Sequence, residues 1–179
     1  MQLRDAINLV KSAPVDNIHP TIWADLGCGS GLFTRALASL LGERSTIYAV
    51  DSVAQTLPAF FRPSLDIRFV EMDFEKETLD MPPLHGILMA NSLHYIKDKT
   101  ALLEKLKTAL TGDGQFIVVE YDTMMANPYV PYPIDWAHLT TRFGEAGFAH
   151  VTRLGERPST FGRSNLYAAS VRRAPVADS

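Results

Sequence analysis

The chain has 179 residues, the usual size of one domain, so the sequence predicts a single hydrophobic core. Its 17 Lys and Arg residues against 20 Asp and Glu residues give a formal net charge of -3. No broad positive field is therefore available to attract a phosphate backbone. We expect no nucleic-acid partner.

Cysteine, histidine and hydropathy patterns argue against two further classes of protein. Cys28 is the single cysteine and cannot form a disulfide within the chain, and no His/Cys cluster has zinc-ligand spacing. No metal site is predicted. Because no run of about 18 apolar residues occurs, a membrane span is not expected either. Together these features predict a cytoplasmic protein that does not associate with a membrane.

Short β-rich runs alternate with helical patterns along the chain. Helices are predicted at residues 2–12, 31–41, 101–110 and 136–143, with a weaker helix at 53–61. Strands are predicted at residues 22–26, 46–50, 66–72, 86–90, 115–120, 148–154 and 166–171. Gly112 and Gly114 are expected to end the helix that precedes them, and residues 122–134 are expected to form a loop.

This alternation is typical of an α/β fold, in which helices cover both faces of a parallel sheet. We expect residues 1–173 to form one domain, with an N-terminal helix and linker in residues 1–20. Residues 174–179 are expected to be a disordered tail.

The most informative segment joins the first strand to the first crossover helix and carries Gly27, Gly29 and Gly31. Glycines at alternate positions permit a tight turn and leave no Cβ between the backbone and a ligand. The N–H groups at the start of the following helix point outward. Such a turn at the carboxyl end of a first strand is where open α/β sheets bind nucleoside cofactors.

Two acids follow in the order expected for such a site. Asp51 ends the second strand, where a carboxylate can accept hydrogen bonds from both ribose hydroxyls, and Asp73 ends the third. Each acid taken alone is equally typical of a helix cap or a turn. Both acids together with the glycine loop favour cofactor binding.

With these residues the sequence resembles the class I, Rossmann-like S-adenosylmethionine-dependent methyltransferases of the small-molecule type. The loop from Asp25 to Gly31 is similar to the first motif of the family, and residues 86–95 are similar to its fourth strand and following loop. Asp51 corresponds to the ribose-binding acid, Asp73 to the acid that meets the adenine amino group, and Phe74 to a residue beside the adenine ring. The resemblance covers roughly residues 20–171.

The resemblance implies a doubly wound, mostly parallel seven-stranded sheet with an antiparallel C-terminal strand, and S-adenosylmethionine as cofactor. It also implies the residues that bind this cofactor: Asp25, Gly27, Cys28, Gly29, Gly31, Asp51, Ser52, Asp73, Phe74, Asn91, Ser92 and Leu93.

Two alternative functions remain open. A nicotinamide-dependent oxidoreductase shares the fold, but its fingerprint needs a third glycine three residues after Gly29, where this chain has Leu32. A non-catalytic S-adenosylmethionine-binding partner or sensor would keep every residue of the pocket.

The methyl acceptor is less well defined by the sequence. A small molecule is the first expectation and a protein side chain the second, and a homodimer is possible. Because a sulfonium donor carries its own leaving group, we expect catalysis mainly by in-line positioning. His94 is either a catalytic base or a polar loop residue. Residues 122–134 form either a lid or a surface loop.

Overall fold

The computed structural model describes residues 1–57, 63–159 and 164–173. The strands are β1 (Ile22–Leu26), β2 (Thr46–Asp51), β3 (Asp66–Glu71), β4 (Leu84–Ala90), β5 (Leu110–Tyr121), β6 (His150–Pro158) and β7 (Asn165–Arg172). The α-helices are α1 (Leu3–Val10), α2 (Leu32–Ala38), α3 (Lys99–Ala109) and α4 (Trp136–Glu145), and a short 3-10 helix covers Leu93–Tyr95. Among the described residues, none of the helices has the length and apolar character needed to cross a membrane.

All seven strands belong to one sheet with the order β3-β2-β1-β4-β5-β7-β6. The first five strands pair in parallel, whereas β7 pairs antiparallel with both β5 and β6. The predicted α/β class and the antiparallel C-terminal strand are therefore confirmed. Strand order reverses between β1 and β4, which is the position where open α/β sheets bind ligands.

Helices cover both faces of the sheet, and each face has its own hydrophobic cluster. One cluster contains Leu102 and Leu106 of α3 together with Phe143 of α4. The other contains Leu9 of α1 and Leu37 of α2. Both clusters leave the carboxyl ends of the parallel strands free to form a site.

The two ends of helix α3 have different causes, a local cap at its start and a tertiary contact at its end. The Asp98 carboxylate accepts a hydrogen bond from the Ala101 N–H at 2.9 Å and caps the first turn. The helix ends at Ala109 because Leu110 is extended and pairs with Leu84 of β4. The prediction that Gly112 and Gly114 end this helix is wrong, since both glycines lie in β5.

These glycines occupy an irregular stretch of the strand. Leu84 pairs with Leu110 but Gly86 pairs with Gln115, so residues 111–114 leave the regular register. A Cβ at Gly114 would lie 2.9 Å from the Leu110 side chain and 3.1 Å from the Leu84 carbonyl oxygen. The narrow space at this excursion explains the glycine better than a helix end does.

The structure has no helix in the described part of the predicted weak helix at residues 53–61. Residues 53–57 are not helical, and residues 58–61 lie outside the described part of the chain. Residues 72–83, which connect β3 to β4, also contain no helix. Leu79 and Met81 in this connection pack on the cluster that contains α3.

A close contact between the two central strands fixes their spacing. Trp23 of β1 is in register with Gly86 of β4, and the Trp23 ring packs directly over the glycine. A Cβ at Gly86 would lie 2.3 Å from ring atoms of Trp23, whose side chain is only 1% exposed. Neither the ring nor the paired strands can move aside without losing packing.

We therefore expect Gly86→Ala to destabilise the fold by about 1–3 kcal/mol through overpacking. The matched control is Gly112→Ala, because an added Cβ there meets no atom within 4 Å. The control should stay within about 0.5 kcal/mol of wild type. Urea unfolding of the three proteins measures this difference, and equal losses in both variants would contradict it.

Candidate active site

The glycine loop after β1 has the backbone conformation that its sequence predicts. Gly27, Gly29 and Gly31 have φ angles of 79, 49 and 78°. These left-handed conformations are strained for residues with a Cβ. The N–H groups of Gly27 and Cys28 both donate to the Val50 carbonyl oxygen, at 2.8 and 2.9 Å, which ties the loop to the end of β2.

Gly27 also lies against the segment that follows β4. A Cβ at Gly27 would approach the Cβ of Ser92 to 2.5 Å, so a side chain cannot fit. The Ser92 hydroxyl donates to the Leu26 carbonyl oxygen at 2.6 Å. Next to it, Asn91 has a left-handed φ of 55°, a conformation that asparagine adopts more readily than most residues.

Asp51, at the end of β2, holds two backbone segments. One carboxylate oxygen accepts the Gly29 N–H at 2.8 Å, and the other accepts the Val53 N–H at 3.1 Å. A carboxylate oxygen has more than one lone pair, so both can still accept from a ligand hydroxyl. Asp51 therefore orients the glycine loop while facing the same edge of the sheet.

The turn after β3 is held by Lys105 of α3, which lies about 30 residues later in the chain. The Lys105 ammonium donates to the carbonyl oxygens of Phe74, Glu75 and Glu77 at 2.6, 2.8 and 3.0 Å. Within the turn, Asp73 accepts N–H bonds from Glu75 and Lys76 and pairs with the Lys76 ammonium at 2.7 Å. This ion pair lowers the pKa of Asp73.

These segments enclose a cavity of about 450 Å³ at the carboxyl ends of β1, β2 and β4. Its size is within the range of small-molecule and cofactor sites. The residues that line it are Gly27, Gly29, Asp51, Ser52, Asp73, Phe74, Glu75, Asn91, Ser92, Tyr95 and Ile96. The cavity thus combines an aromatic ring, carboxylates and exposed backbone at the point where the strand order reverses.

Residues 24–114, just over half of the chain, match the model of the methyltransferase domain family. The chain belongs to this family. Every residue that lines the cavity falls within the matched segment. The predicted methyltransferase family is therefore confirmed. No curated protein sequence matches this methyltransferase.

Several solved structures have the same fold. The 1,6-didemethyltoxoflavin-N1-methyltransferase of Burkholderia thailandensis is 21% identical with a TM-score of 0.65, over 96% of this chain and 77% of that one. Magnesium protoporphyrin IX methyltransferase from Synechocystis PCC 6803 is 15% identical with a TM-score of 0.62, over 96% and 78%. The YcgJ protein of Bacillus subtilis is 11% identical with a TM-score of 0.69, over 97% and 100%.

Most of the residues predicted to bind cofactor in this methyltransferase lie together at the cavity. Those lining it are Gly27, Gly29, Asp51, Ser52, Asp73, Phe74, Asn91 and Ser92. Four others, Asp25, Cys28, Gly31 and Leu93, do not line it. Cys28 and Leu93 are buried, and Gly31 is the N-cap of α2.

Sequence reasoning missed Glu75, Tyr95 and Ile96, which also line the cavity, and Lys105, which holds one of its walls. Tyr95 ends the segment 86–95 that resembles the fourth strand and loop of the family, and Ile96 follows it, which was an available signal. Nothing local marks Lys105, because its partners lie about 30 residues earlier in the chain.

His94, the predicted candidate base, is only 2% exposed and does not line the cavity. Its Nδ1 lies 2.6 Å from one oxygen of the fully buried Glu120, and its backbone N–H donates to the other oxygen at 3.1 Å. The Tyr95 ring lies 4.5 Å from the imidazole, between centroids. In this methyltransferase His94 is first of all the partner of a buried carboxylate, and its catalytic role stays a prediction.

Asp25 is buried beneath the glycine loop, at 1% exposure, and accepts the Thr34 hydroxyl at 2.6 Å. Its other oxygen has no hydrogen-bond partner in the described part of the chain. Burial raises the pKa of Asp25 to about 7, against a hydrogen bond from Thr34 that lowers it, and the nearby Asp51 raises it further. The folded methyltransferase therefore holds a proton here that the unfolded chain releases near its ordinary pKa of 3.8.

This proton makes stability depend on pH. Between the two pKa values the folded state binds more protons, so the free energy of unfolding falls as the pH rises. We expect Asp25→Asn to lose less stability than wild type between about pH 4 and about pH 7.5, by at most about 4 kcal/mol. Asp80→Asn, a change at an exposed carboxylate, serves as control and should follow wild type.

Urea titrations at several pH values measure the effect. Parallel stability curves for wild type and Asp25→Asn would show that Asp25 is ionised in the folded protein throughout this range.

Proposed function

We propose that this methyltransferase transfers a methyl group from S-adenosylmethionine to a small-molecule acceptor. The observation that carries the proposal is the cavity between the glycine loop and residues 91–96, which lies wholly within the family segment. The fit is chemical as well as spatial. The side-chain oxygen of Asn91, at the cavity, is buried and has no donor among the described residues. A ligand N–H or O–H group would satisfy it.

The remaining wall suits the other parts of the cofactor. Asp51 presents carboxylate oxygens for ribose hydroxyls, and Phe74 presents an aromatic ring for adenine. Asp73 is the acid proposed for the adenine amino group. Its pairing with Lys76, whose side chain is 79% exposed, is a weak surface interaction that does not prevent this contact.

The cofactor carries its methyl group on a sulfonium centre. When the methyl group is transferred, the sulfur leaves as a neutral thioether. The chain then has to hold the acceptor atom in line with that methyl group and exclude water. Proximity and orientation of this kind contribute roughly 7–11 kcal/mol to catalysis. A buried His94 paired with Glu120 is compatible with such a mechanism, since no strong base is required for a nitrogen or sulfur acceptor.

Two features support a small molecule as acceptor. The first is that two structural neighbours are methyltransferases named for small molecules, 1,6-didemethyltoxoflavin and magnesium protoporphyrin IX. The second is the loop at residues 122–134, which we propose covers the acceptor. Tyr132 connects this loop to the chain next to the cavity. The Tyr132 N–H donates to the His94 carbonyl oxygen at 2.9 Å, and the Tyr132 carbonyl oxygen accepts from Lys99 at 2.7 Å.

The choice of cofactor is tested by isothermal calorimetry with S-adenosylhomocysteine and with NAD. We expect binding of the adenosyl ligand and none of NAD, because the loop continues Gly31-Leu32 and lacks the glycine that seats a pyrophosphate. Tight binding of NAD with no response to S-adenosylhomocysteine would remove the proposal. Transfer of a labelled methyl group to cell metabolites separates an enzyme from a non-catalytic binder.

The role of Asp51 is tested by Asp51→Ala. Hydrogen bonds to a charged group contribute about 1.5–3 kcal/mol, so the Kd for S-adenosylhomocysteine should rise about tenfold to a hundredfold. Asp113→Ala, which removes an exposed carboxylate in the β5 excursion, is the control and should leave the Kd unchanged. Thermal unfolding checks that both variants are folded. An unaltered Kd in folded Asp51→Ala would exclude Asp51 as a ligand of the ribose.

A further inference from the structure

A second cavity, of about 550 Å³, lies beside the cofactor cavity at the same edge of the sheet. It is formed by residues 97–100, by the loop at residues 122–134 and by α4. One continuous segment therefore borders both cavities, since Asn91, Ser92, Tyr95 and Ile96 line the first and residues 97–100 line the second. The contributions from the loop and from α4 lie beyond the segment that matches the family.

The charge of this cavity is opposite to that of the chain. The cations Lys97, Lys99 and Arg142 line it, whereas the chain as a whole carries a net charge of -3. The single carboxylate in the lining, Asp98, is already used as the cap of α3. Arg142 has a partner in Glu145 at 3.3 Å, but both side chains are about half exposed and the pair is weak.

Lys99 is the most enclosed of these cations. Its ammonium donates to the carbonyl oxygens of Ile96 and Tyr132, at 2.8 and 2.7 Å, and these acceptors are neutral. Burial lowers the pKa of Lys99, the nearby Arg142 lowers it further, and Glu120 opposes both effects. An anion in the cavity would favour the charged form of Lys99 and reduce the repulsion between it and Arg142.

Part of the lining of this cavity is apolar. Met124, Pro133 and Ile134 contribute it, and Met124 is 49% exposed in the loop. Methionine is flexible and adapts to ligands of different shape. A ligand that matches both the cationic and the apolar residues has an apolar body and an anionic group.

We propose that this cavity binds the anionic end of the methyl acceptor, which is an organic acid with an apolar body. The inference rests on the proposed function, because it assigns the substrate class of the same enzyme. The anionic group lies against Lys97, Lys99 and Arg142, the body packs on Met124 and Ile134, and the part to be methylated extends towards Tyr95. The Tyr95 side chain is 55% exposed and lines the cofactor cavity.

The test uses a probe of this chemistry, 1-anilinonaphthalene-8-sulfonate, and its neutral counterpart N-phenyl-1-naphthylamine, which has the same rings without the sulfonate. Both are titrated by fluorescence into the full chain saturated with S-adenosylhomocysteine, so that the cofactor cavity is filled. The anionic probe should bind more tightly than the neutral one, and added salt should weaken its binding.

The variant Lys97→Ala/Arg142→Ala removes two cations of the cavity and keeps Lys99, whose contacts hold the loop. We expect its affinity for the anionic probe to fall about fivefold to thirtyfold, with the neutral probe unaffected. The matched control is Arg4→Ala/Lys11→Ala, which removes the same charge at the exposed face and end of α1 on the opposite side of the sheet. The control should bind both probes as wild type does.

Three results would overturn the proposal: equal affinity for the two probes, no binding of the anionic probe, or an equal loss in the two double variants. Calorimetry with S-adenosylhomocysteine on the same samples reports the proposed function separately. A chain that binds neither adenosyl ligand fails as a methyltransferase whatever the probes show. A chain that binds the adenosyl ligand but shows no preference for the anionic probe fails only in the assignment of its acceptor.

Discussion

The approach of the glycine loop to the segment after β4 is the constraint on which the site depends. At Gly27 the two backbones come so close that a Cβ would lie 2.5 Å from the Cβ of Ser92. The hydroxyl of Ser92 then reaches the Leu26 carbonyl oxygen and closes the gap between the two strand ends. Asn91, placed next to this contact with a left-handed φ of 55°, lines the cavity, and its buried side-chain oxygen has no hydrogen-bond partner among the described residues.

Much of the fold and part of the site follow from local sequence patterns. Strands and helices were predictable because hydrophobic periodicity changes between them, and the glycine loop was predictable because alternate glycines permit the left-handed turn that it adopts. The order of Gly27, Asp51 and Asp73 predicted the edge of the sheet at which the site lies, because the carboxyl ends of parallel strands meet at one edge. Each of these signals lies within a single strand and the loop that follows that strand.

Other features were not predictable because they depend on distant partners. The side of the loop on which Asp25 lies is set by Thr34 and the packing of α2, and His94 is buried because Glu120 of β5 comes beside it. Gly112 and Gly114 resemble a helix end in sequence, yet the pairing of Leu110 with Leu84 carries the chain into β5 before either glycine. In each case tertiary contacts override a plausible local interpretation.

The wall of the cavity near Phe74 is joined to α3 by the Lys105 amine as well as by apolar packing. All three N–H donors of Lys105 are engaged by carbonyl oxygens of the turn, at 2.6, 2.8 and 3.0 Å. Reductive dimethylation of lysines, a routine aid to crystallisation, would keep the positive charge but leave one donor for three acceptors. The treated protein would keep at most one of the three hydrogen bonds that hold this turn, so its crystals would be poor material for viewing a ligand in the cavity.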